Sequence, residues 1–353
     1  MRLRKGSEGK PRFPLYKIDT GTTNFELGKK LLPMGIKRVN RYLTDHCSKK
    51  AIFKTNLKIA EGKTIVIDTS IYMYKYMSQN ALIEYIYLMI SILLEYNITP
   101  IFIFDGKAPP EKRDLLRERS KYKKDAEKKY NELQKEMENP CVDSYLKKDI
   151  IDELESLKKR FIRIKEKDII KVKKLMDAYG ISYIVADGEA DKLCAFMVKN
   201  GNAWACLSDD MDLFVYGCPR VLRHMSLLKH TIIMYDFHQI LNEIGFIEES
   251  FREIMVLSGT DYNINQKISL YDAVDWFNEY VTFYKNEPKC GTFYKWLCTK
   301  NYCALDYDEL LKIHNMFCLI EDDTIYINVK NLIKSPNYAE LKNILREDGF
   351  VSC

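Results

Sequence analysis

Residues 183–212 read YIVADGEADKLCAFMVKNGNAWACLSDDMD, and the way apolar runs give way to acids in this stretch decides the fold class. Ile181, Tyr183, Ile184 and Val185 are β-branched or aromatic, the pattern of a short buried strand. Glu189 and Asp191 stand where a helix begins, and Leu193, Cys194, Met197 and Val198 give that helix an apolar face. Ala203 to Leu207 is a second apolar run, which stops at Ser208, Asp209, Asp210 and Asp212. Two parallel strands joined by a crossover helix would point both acidic clusters out of one sheet edge. Open α/β sheets bind their ligands at that edge. The expected fold is α/β, with a mostly parallel central sheet flanked by helices.

Two further strands end the same way. Gly62-Lys-Thr-Ile-Val-Ile-Asp68 and Ile101-Phe-Ile-Phe-Asp105-Gly are buried runs that each close on an acid. Between them Ile71–Tyr96 reads as one helix with Tyr74, Met77, Leu82, Tyr85, Ile86 and Met89 on its apolar side. Ahead of them, Val39, Tyr42 and Leu43 mark a short helix. After Pro109-Pro110 the chain is charged and helical to about Tyr179, interrupted near Asn139-Pro140. Alternating charge over that length predicts an exposed helical arm rather than core. Val221, Leu222 and Thr231–Met234 predict a hairpin that closes the sheet, and Phe251–Gly259 a helix leading to Thr260-Asp261-Tyr262.

The chain has 353 residues, 46% hydrophobic and 30% charged, enough for a substantial core. No apolar run reaches membrane-spanning length. The opening MRLRKGSEGKPRFPLYK is basic but has no apolar signal core. Ten cysteines without any C-x-x-C pair predict reduced thiols in an intracellular compartment. Net charge is +5, unevenly spread. Residues 106–135 and 147–174 each carry eleven Lys/Arg against six Asp/Glu, and residues 1–13 carry five against one. The rest is net acidic. Basic segments on an acidic body suit a polyanion handled by a cation-requiring centre; merely solvated Lys-rich helix faces are the plainer alternative.

Seven acids fall at strand ends or turns: Asp68, Asp105, Glu189, Asp191, Asp210, Asp212 and Asp261. Any one of them is an ordinary helix cap. Converging, they would repel and raise one another's pKa values unless cations neutralise them. Hard divalent ions with oxygen ligands are the natural counter-charge, and magnesium suits sites that hold phosphate. Two such ions about 4 Å apart activate water and stabilise the leaving oxygen in phosphodiester hydrolysis. The five histidines lie outside these motifs, which disfavours zinc. Cys290, Cys298, Cys303, Cys318 and His314 have irregular spacings and read as buried thiols rather than a zinc site.

Taken together, Met34-Gly-Ile-Lys, Val66-Ile-Asp68-Thr-Ser70, Phe104-Asp105-Gly-Lys107, Gly188-Glu-Ala-Asp191 with Ala195, Ser208-Asp-Asp-Met-Asp212 and Ser258-Gly-Thr-Asp-Tyr262 resemble, in order, the blocks of the flap endonuclease/XPG family of structure-specific 5′ nucleases. The Lys/Ile/Tyr/Asn-rich composition is similar to divergent members from large DNA viruses. The resemblance implies a PIN/5′-nuclease-like fold with a projecting charged helical arch and a degenerate helix-two-turn-helix region. Its parts would be a basic leader (1–33), an N-terminal nuclease region (34–106), the arch (107–175), an internal nuclease region (176–285) and a C-terminal aromatic extension of unread role (286–353).

The resemblance also carries roles onto matching positions. Asp105, Glu189 and Asp191 would hold one metal ion, Asp210, Asp212 and Asp261 the other, and Asp68 would orient the water. Two Mg2+ are implied, replaceable by Mn2+, with no organic cofactor. Lys112 and Arg119, two turns apart on one helix face, would reach the scissile phosphate. Tyr74 would stack on a base beside the cleaved bond, unless it belongs to the apolar stripe of its helix. Lys107, Arg113 and Arg117 would add contacts to the DNA backbone.

Three features depart from the family pattern. Asp191 stands where the family has Glu. Lys267-Ile-Ser-Leu-Tyr-Asp272 replaces a Gly-x-Gly-Pro-Lys-Arg run, which puts the monovalent-cation site and the duplex grip in question. Thirty-three residues precede Met34. The expected activity is hydrolysis of flapped or branched DNA, endonucleolytic or 5′→3′ exonucleolytic, in replication, recombination or repair. The expected partner is DNA, with no membrane, no sliding-clamp docking and a monomeric state. The expected place is the nucleus, or a host cytoplasmic replication site for a viral protein. The competing readings are an inactive nucleic-acid-binding scaffold and an RNA-directed PIN-type nuclease.

Overall fold

The computed structural model describes residues 36, 38–137, 144–263, 268–286, 291–300, 302, 307–319 and 335–349. The leader, Met34, Gly35, Lys37, Asn139-Pro140, Lys267, Cys290 and Cys303 lie outside the described residues.

Strands β1 (Ile52–Asn56), β2 (Thr64–Asp68), β3 (Thr99–Phe104), β4 (Ser182–Val185), β5 (Ala205–Leu207), β6 (Arg220–Ser226) and β7 (Thr231–Asp236) form one sheet. Its order is β1-β7-β6-β5-β2-β3-β4. The five strands from β6 to β4 are parallel, and β7 runs antiparallel to β6 and to β1. The sheet is thus mostly parallel, closed at one side by the expected β6–β7 hairpin. β4 and β5 are not neighbours, because β2 and β3 stand between them. The reason is burial. Ile65, Val66 and Ile67 of β2 and Ile101, Phe102 and Ile103 of β3 bury both faces, as β5 does, so these strands take interior places. β4 has a half-buried Tyr183 and an exposed Val185, which suit an edge. The acids therefore leave the sheet from a run of adjacent parallel strand ends rather than from a single pair.

Helices cover both faces. They are α1 (Val39–His46), α2 (Thr69–Met77), α3 (Leu82–Glu95), α4 (Arg113–Met137), α5 (Ser144–Arg160), α6 (Glu166–Tyr179), α7 (Ala190–Lys199), α8 (Asp212–Val215), α9 (Phe237–Ile244), α10 (Glu248–Leu257), α11 (Leu270–Asn286), α12 (Phe293–Lys300), α13 (Tyr307–Met316) and α14 (Tyr338–Glu347). Period-2 alternation divides the strand side chains between two cores. Ile65, Ile67, Phe102, Phe104 and Leu207 face α2, α3, α6 and α14. Val66, Ile101, Ile103 and Cys206 face α1 and the helices from α7 to α13. Among the described residues no helix is long and apolar enough to cross a membrane.

Two expectations need correction. The single helix read over 71–96 is two, α2 and α3, broken at Asn80, which takes a left-handed φ of 54°. Asn tolerates that region, whereas a continuing helix cannot use it. The charged segment read as one arm also divides. α4 and α5 pack on each other, and each buries apolar residues, Leu115 and Ala126 on α4 and the stripe Ile150, Leu154 and Leu157 on α5. Tyr130 meets Phe161 at 5.3 Å, and Arg163 donates to Glu127 at 2.8 Å. α6 instead lies on the body, with Val172, Leu175, Met176 and Tyr179 buried beside α3. Their i, i+3, i+4, i+7 spacing is a core stripe that the surrounding lysines obscure.

Candidate active site

Each acid reaches the carboxyl edge by a local route. Asp68 is the last residue of β2 and caps α2, while Asp105 follows β3. Glu189 stands at the N-cap position of α7, its side chain free of the helix end, with Asp191 in the first turn. Asp210 and Asp212 follow β5, Asp212 opening α8, and Asp261 lies beyond α10.

A tight backbone contact brings the β3 end to the loop before α7. The Gly106 N–H donates to the Gly188 carbonyl at 2.7 Å, and a Cβ at Gly106 would sit 1.9 Å from the Ala186 carbonyl oxygen. Only glycine allows that approach. Asp105 then joins two helix starts: Oδ2 accepts from Ser70 Oγ at 2.5 Å and Oδ1 from the Ala190 N–H at 2.9 Å. Ser208 Oγ donates to Asp68 Oδ2 at 3.0 Å and accepts the Asp210 N–H at 3.1 Å. The Asp212 N–H donates to Asp210 Oδ1 at 2.9 Å.

The electrostatics are those of a crowded, dry acid cluster. Burial, then the charges of Asp105 and Asp210, push Asp68 up to about 8. Burial also raises Asp210, and burial with neighbouring carboxylates holds Asp191 and Asp212 well above the usual carboxylate range. Nearby cations answer this charge. Lys112, only 8% exposed, places Nζ 2.5 Å from Glu189 Oε1 and 3.3 Å from Asp261 Oδ2. Burial alone would lower its pKa, but Asp191, Glu189 and Asp261 raise it above the ordinary lysine value. Arg119 Nη2 donates to both oxygens of Asp261, at 3.1 and 3.3 Å. Lys112 lies in the 3-10 turn Pro110–Lys112 rather than on α4, so the two cations share a face but not one helix.

The donor set fits a hard divalent cation. Every donor is a carboxylate oxygen, the seven acids outnumber the facing cations Lys112, Arg119 and Arg223, and Asp212 Oδ1 is buried with no hydrogen-bond partner. Among the described residues no group of three or more His, Cys, Asp or Glu side chains forms a ready-made metal cage. The Lys112 ammonium stands between Glu189 and Asp261 instead.

Of the remaining expected residues, Tyr74 comes near the carboxylates: burial, then the charge of Asp105, raises its hydroxyl pKa. Tyr74 is 41% exposed on α2 with Lys123 Nζ 4.8 Å from its ring centroid, so it stands clear of the core stripe. Lys107, Arg113 and Arg117 are exposed, and Arg117 pairs with Asp114 at 3.5 Å. Of the sulfur group, Cys298 and Cys318 are half-buried, and Cys318 Sγ donates to the His314 carbonyl at 3.7 Å. Ser70, Ser208 and Tyr262 lie within the motifs, and the sequence alone assigns them no role. Tyr262 donates its hydroxyl proton to Glu189 Oε2.

Comparisons with known proteins agree on the family. The XPG N-terminal domain matches residues 34–126 and the XPG I-region matches residues 180–261. Flap endonuclease 1 of Methanococcus aeolicus is 31% identical over 328 residues, covering 86% of this chain and 89% of that relative. Flap endonuclease 1 of Mus musculus is 29% identical, covering 65% of this chain and 61% of its own length. Among solved structures, the catalytic core of Rad2 in complex with DNA substrate superposes with a TM-score of 0.62 at 20% identity, over 89% of this chain and 95% of that one. Flap endonuclease-1 from Methanococcus jannaschii gives 0.56 at 20% identity, over 86% and 92%. The fold is that of these nucleases. With ordered motifs, matching domains and a relative aligned over most of both chains, the protein belongs to the flap endonuclease/XPG family of structure-specific 5′ nucleases.

Proposed function

We propose that this chain hydrolyses phosphodiester bonds in flapped or branched DNA, by endonucleolytic or 5′→3′ exonucleolytic cleavage, in replication, recombination or repair. The observation that carries the reading is the meeting of Lys112 and Arg119 with the carboxylates at Glu189 and Asp261. Phosphate-binding cations and metal-binding acids then occupy one place.

Asp105, Glu189 and Asp191 would hold one Mg2+, and Asp210, Asp212 and Asp261 the other. When bound, the ions neutralise the acids, activate water and stabilise the leaving oxygen. Lys112 and Arg119 turn from the carboxylates to the non-bridging oxygens of the scissile phosphate, where negative charge develops. Asp68, held by Ser208, orients the attacking water. Exposed Tyr74 offers a stacking surface to the base beside the cleaved bond, without sequence preference. Lys107, Arg113 and Arg117 add backbone contacts that weaken as salt rises.

End-labelled 5′-flap DNA incubated with Mg2+ tests this directly. The wild type should release the flap and Asp210→Ala should not. An intact flap with both proteins would overturn the reading. Nicked, blunt, four-way and RNA-flap substrates in the same assay rank its preferences.

A further inference from the structure

Tyr262 and Phe317 connect the C-terminal helices to the carboxylate centre. Tyr262 closes the last family motif, directly after residue 261 where the XPG I-region match ends, and Phe317 lies far beyond it. The Tyr262 hydroxyl donates to Glu189 Oε2 and lies 3.3 Å from the Tyr216 hydroxyl. Lys112 Nζ stands 5.1 Å from the Tyr262 ring centroid. A single phenol thus touches both members of the Glu189–Lys112 pair. Its ring packs edge-on against Phe317 at 5.2 Å and 74°, and Phe317 also packs on Tyr216 at 4.9 Å. Phe317 is 0% exposed and directly follows α13. That helix is anchored to the body, with His314 Nε2 3.0 Å from Glu249 Oε1 of α10. Lys312 Nζ of α13 also lies 3.6 Å from Glu111, beside Lys112.

We infer that Tyr262 is a positioning residue for the nuclease reaction and that Phe317 sets its place, so the C-terminal helices are a working part of the centre. The inference rests on the proposed function, because it takes Glu189 as a ligand of a divalent cation. The physics is that of support behind a metal ligand. A carboxylate with one oxygen fixed by a hydroxyl donor presents the other in a defined direction. Oε2 of Glu189 is held by Tyr262, and Oε1, now on Lys112, becomes free when the ammonium turns to phosphate. The aromatic face beneath Lys112 keeps the ammonium nearby through its ring quadrupole. Without Phe317, Tyr262 and Tyr216 lose the ring that wedges them, and the hydroxyl no longer has a fixed origin.

Tyr262→Phe removes the donor and keeps the ring on Phe317. Mg2+ binding by calorimetry on the DNA-free protein, and single-turnover flap cleavage across Mg2+ concentrations, are measured for this variant, Phe317→Ala, Phe317→Leu, Asp210→Ala and wild type. Tyr262→Phe should weaken Mg2+ binding about tenfold or more, with cleavage recovering at high Mg2+ and the melting temperature little changed. Phe317→Ala should move Mg2+ binding the same way, and Phe317→Leu, which keeps most of the volume, should restore it. Should the alanine variant fail to fold, Tyr262→Phe, which removes only the hydroxyl, carries the test alone. A wild type that leaves flaps intact would remove the parent reading. A wild type that cleaves, beside a Tyr262→Phe protein with unchanged Mg2+ affinity and unchanged Mg2+ dependence, would overturn this inference alone. A Phe317→Ala protein that melts lower but binds Mg2+ normally would reduce Phe317 to a structural residue.

Discussion

Gly106 and Lys112 show how single residues set the acidic edge. Gly106 has no room for a methyl group, since its Cβ would lie 1.9 Å from a backbone oxygen that cannot swing away. Gly106→Ala must push Asp105 away from the Glu189 loop, at a cost of about 1–3 kcal/mol in stability. We expect a lower melting temperature together with lost flap cleavage, and a variant matching wild type in both would refute the contact's importance. Lys112 holds apart acids that would otherwise face one another. Lys112→Met should destabilise the chelated protein by about 3 kcal/mol, and Mg2+ should return most of that loss. Thermal melts in chelator and in Mg2+ check this, and a Mg2+-insensitive deficit would contradict it. The seven acids were legible in the sequence because each ends its own apolar run, a local pattern. The partners that orient them were not, because Ser70–Asp105 and Tyr262–Glu189 are pairings across the fold. No local spacing encodes them.

At the scale of elements, the sheet was legible in kind but not in order. Apolar runs identified the strands, yet the insertion of β2 and β3 between β4 and β5 depends on which strands can bury both faces. The charged arm is shorter than its sequence suggests, for the opposite reason. Charge density concealed the core stripe Val172, Leu175, Met176 and Tyr179, and α6 belongs to the body. What stands apart from the two cores is the α4–α5 pair, whose start reaches the active site through Lys112 and Arg119. Since Arg119 enters from α4 and pairs with Asp261, its role is separable from folding of the sheet. Arg119→Ala should lower the single-turnover cleavage rate roughly 100-fold or more, with DNA affinity and melting temperature changed much less. A loss confined to affinity would assign Arg119 to binding instead of chemistry.

At the scale of the whole molecule, stability depends on helices that carry none of the motifs. α10 packs against α8, α11 and α13, and its polar face holds a small network around buried Arg252 and His314. Arg252 donates to the Val215 carbonyl and pairs with Glu248 and Glu249, while Glu249 also meets His314. Tyr294 of α12 donates to the Glu253 carbonyl at 3.2 Å. In this setting burial, with the charge of Glu249 second, pushes the Glu253 carboxyl up from 4.5 to about 7. A carboxyl whose folded pKa is raised favours the folded state through its protonated form. Its contribution is fully present below the unfolded value and is lost as pH rises through the folded one. The window is therefore pH 4.5 to 7, and above it the ionised Glu253 opposes folding. Glu253→Gln keeps the shape and removes the ionisation. Below the window the variant and wild type should melt alike. Above it the variant should be more stable by about 1–3 kcal/mol, the gap opening across the window and then levelling. Calorimetric melts on either side measure this, and equal melting temperatures at the alkaline end would show that Glu253 stays ionised at no cost, as a solvated surface acid would.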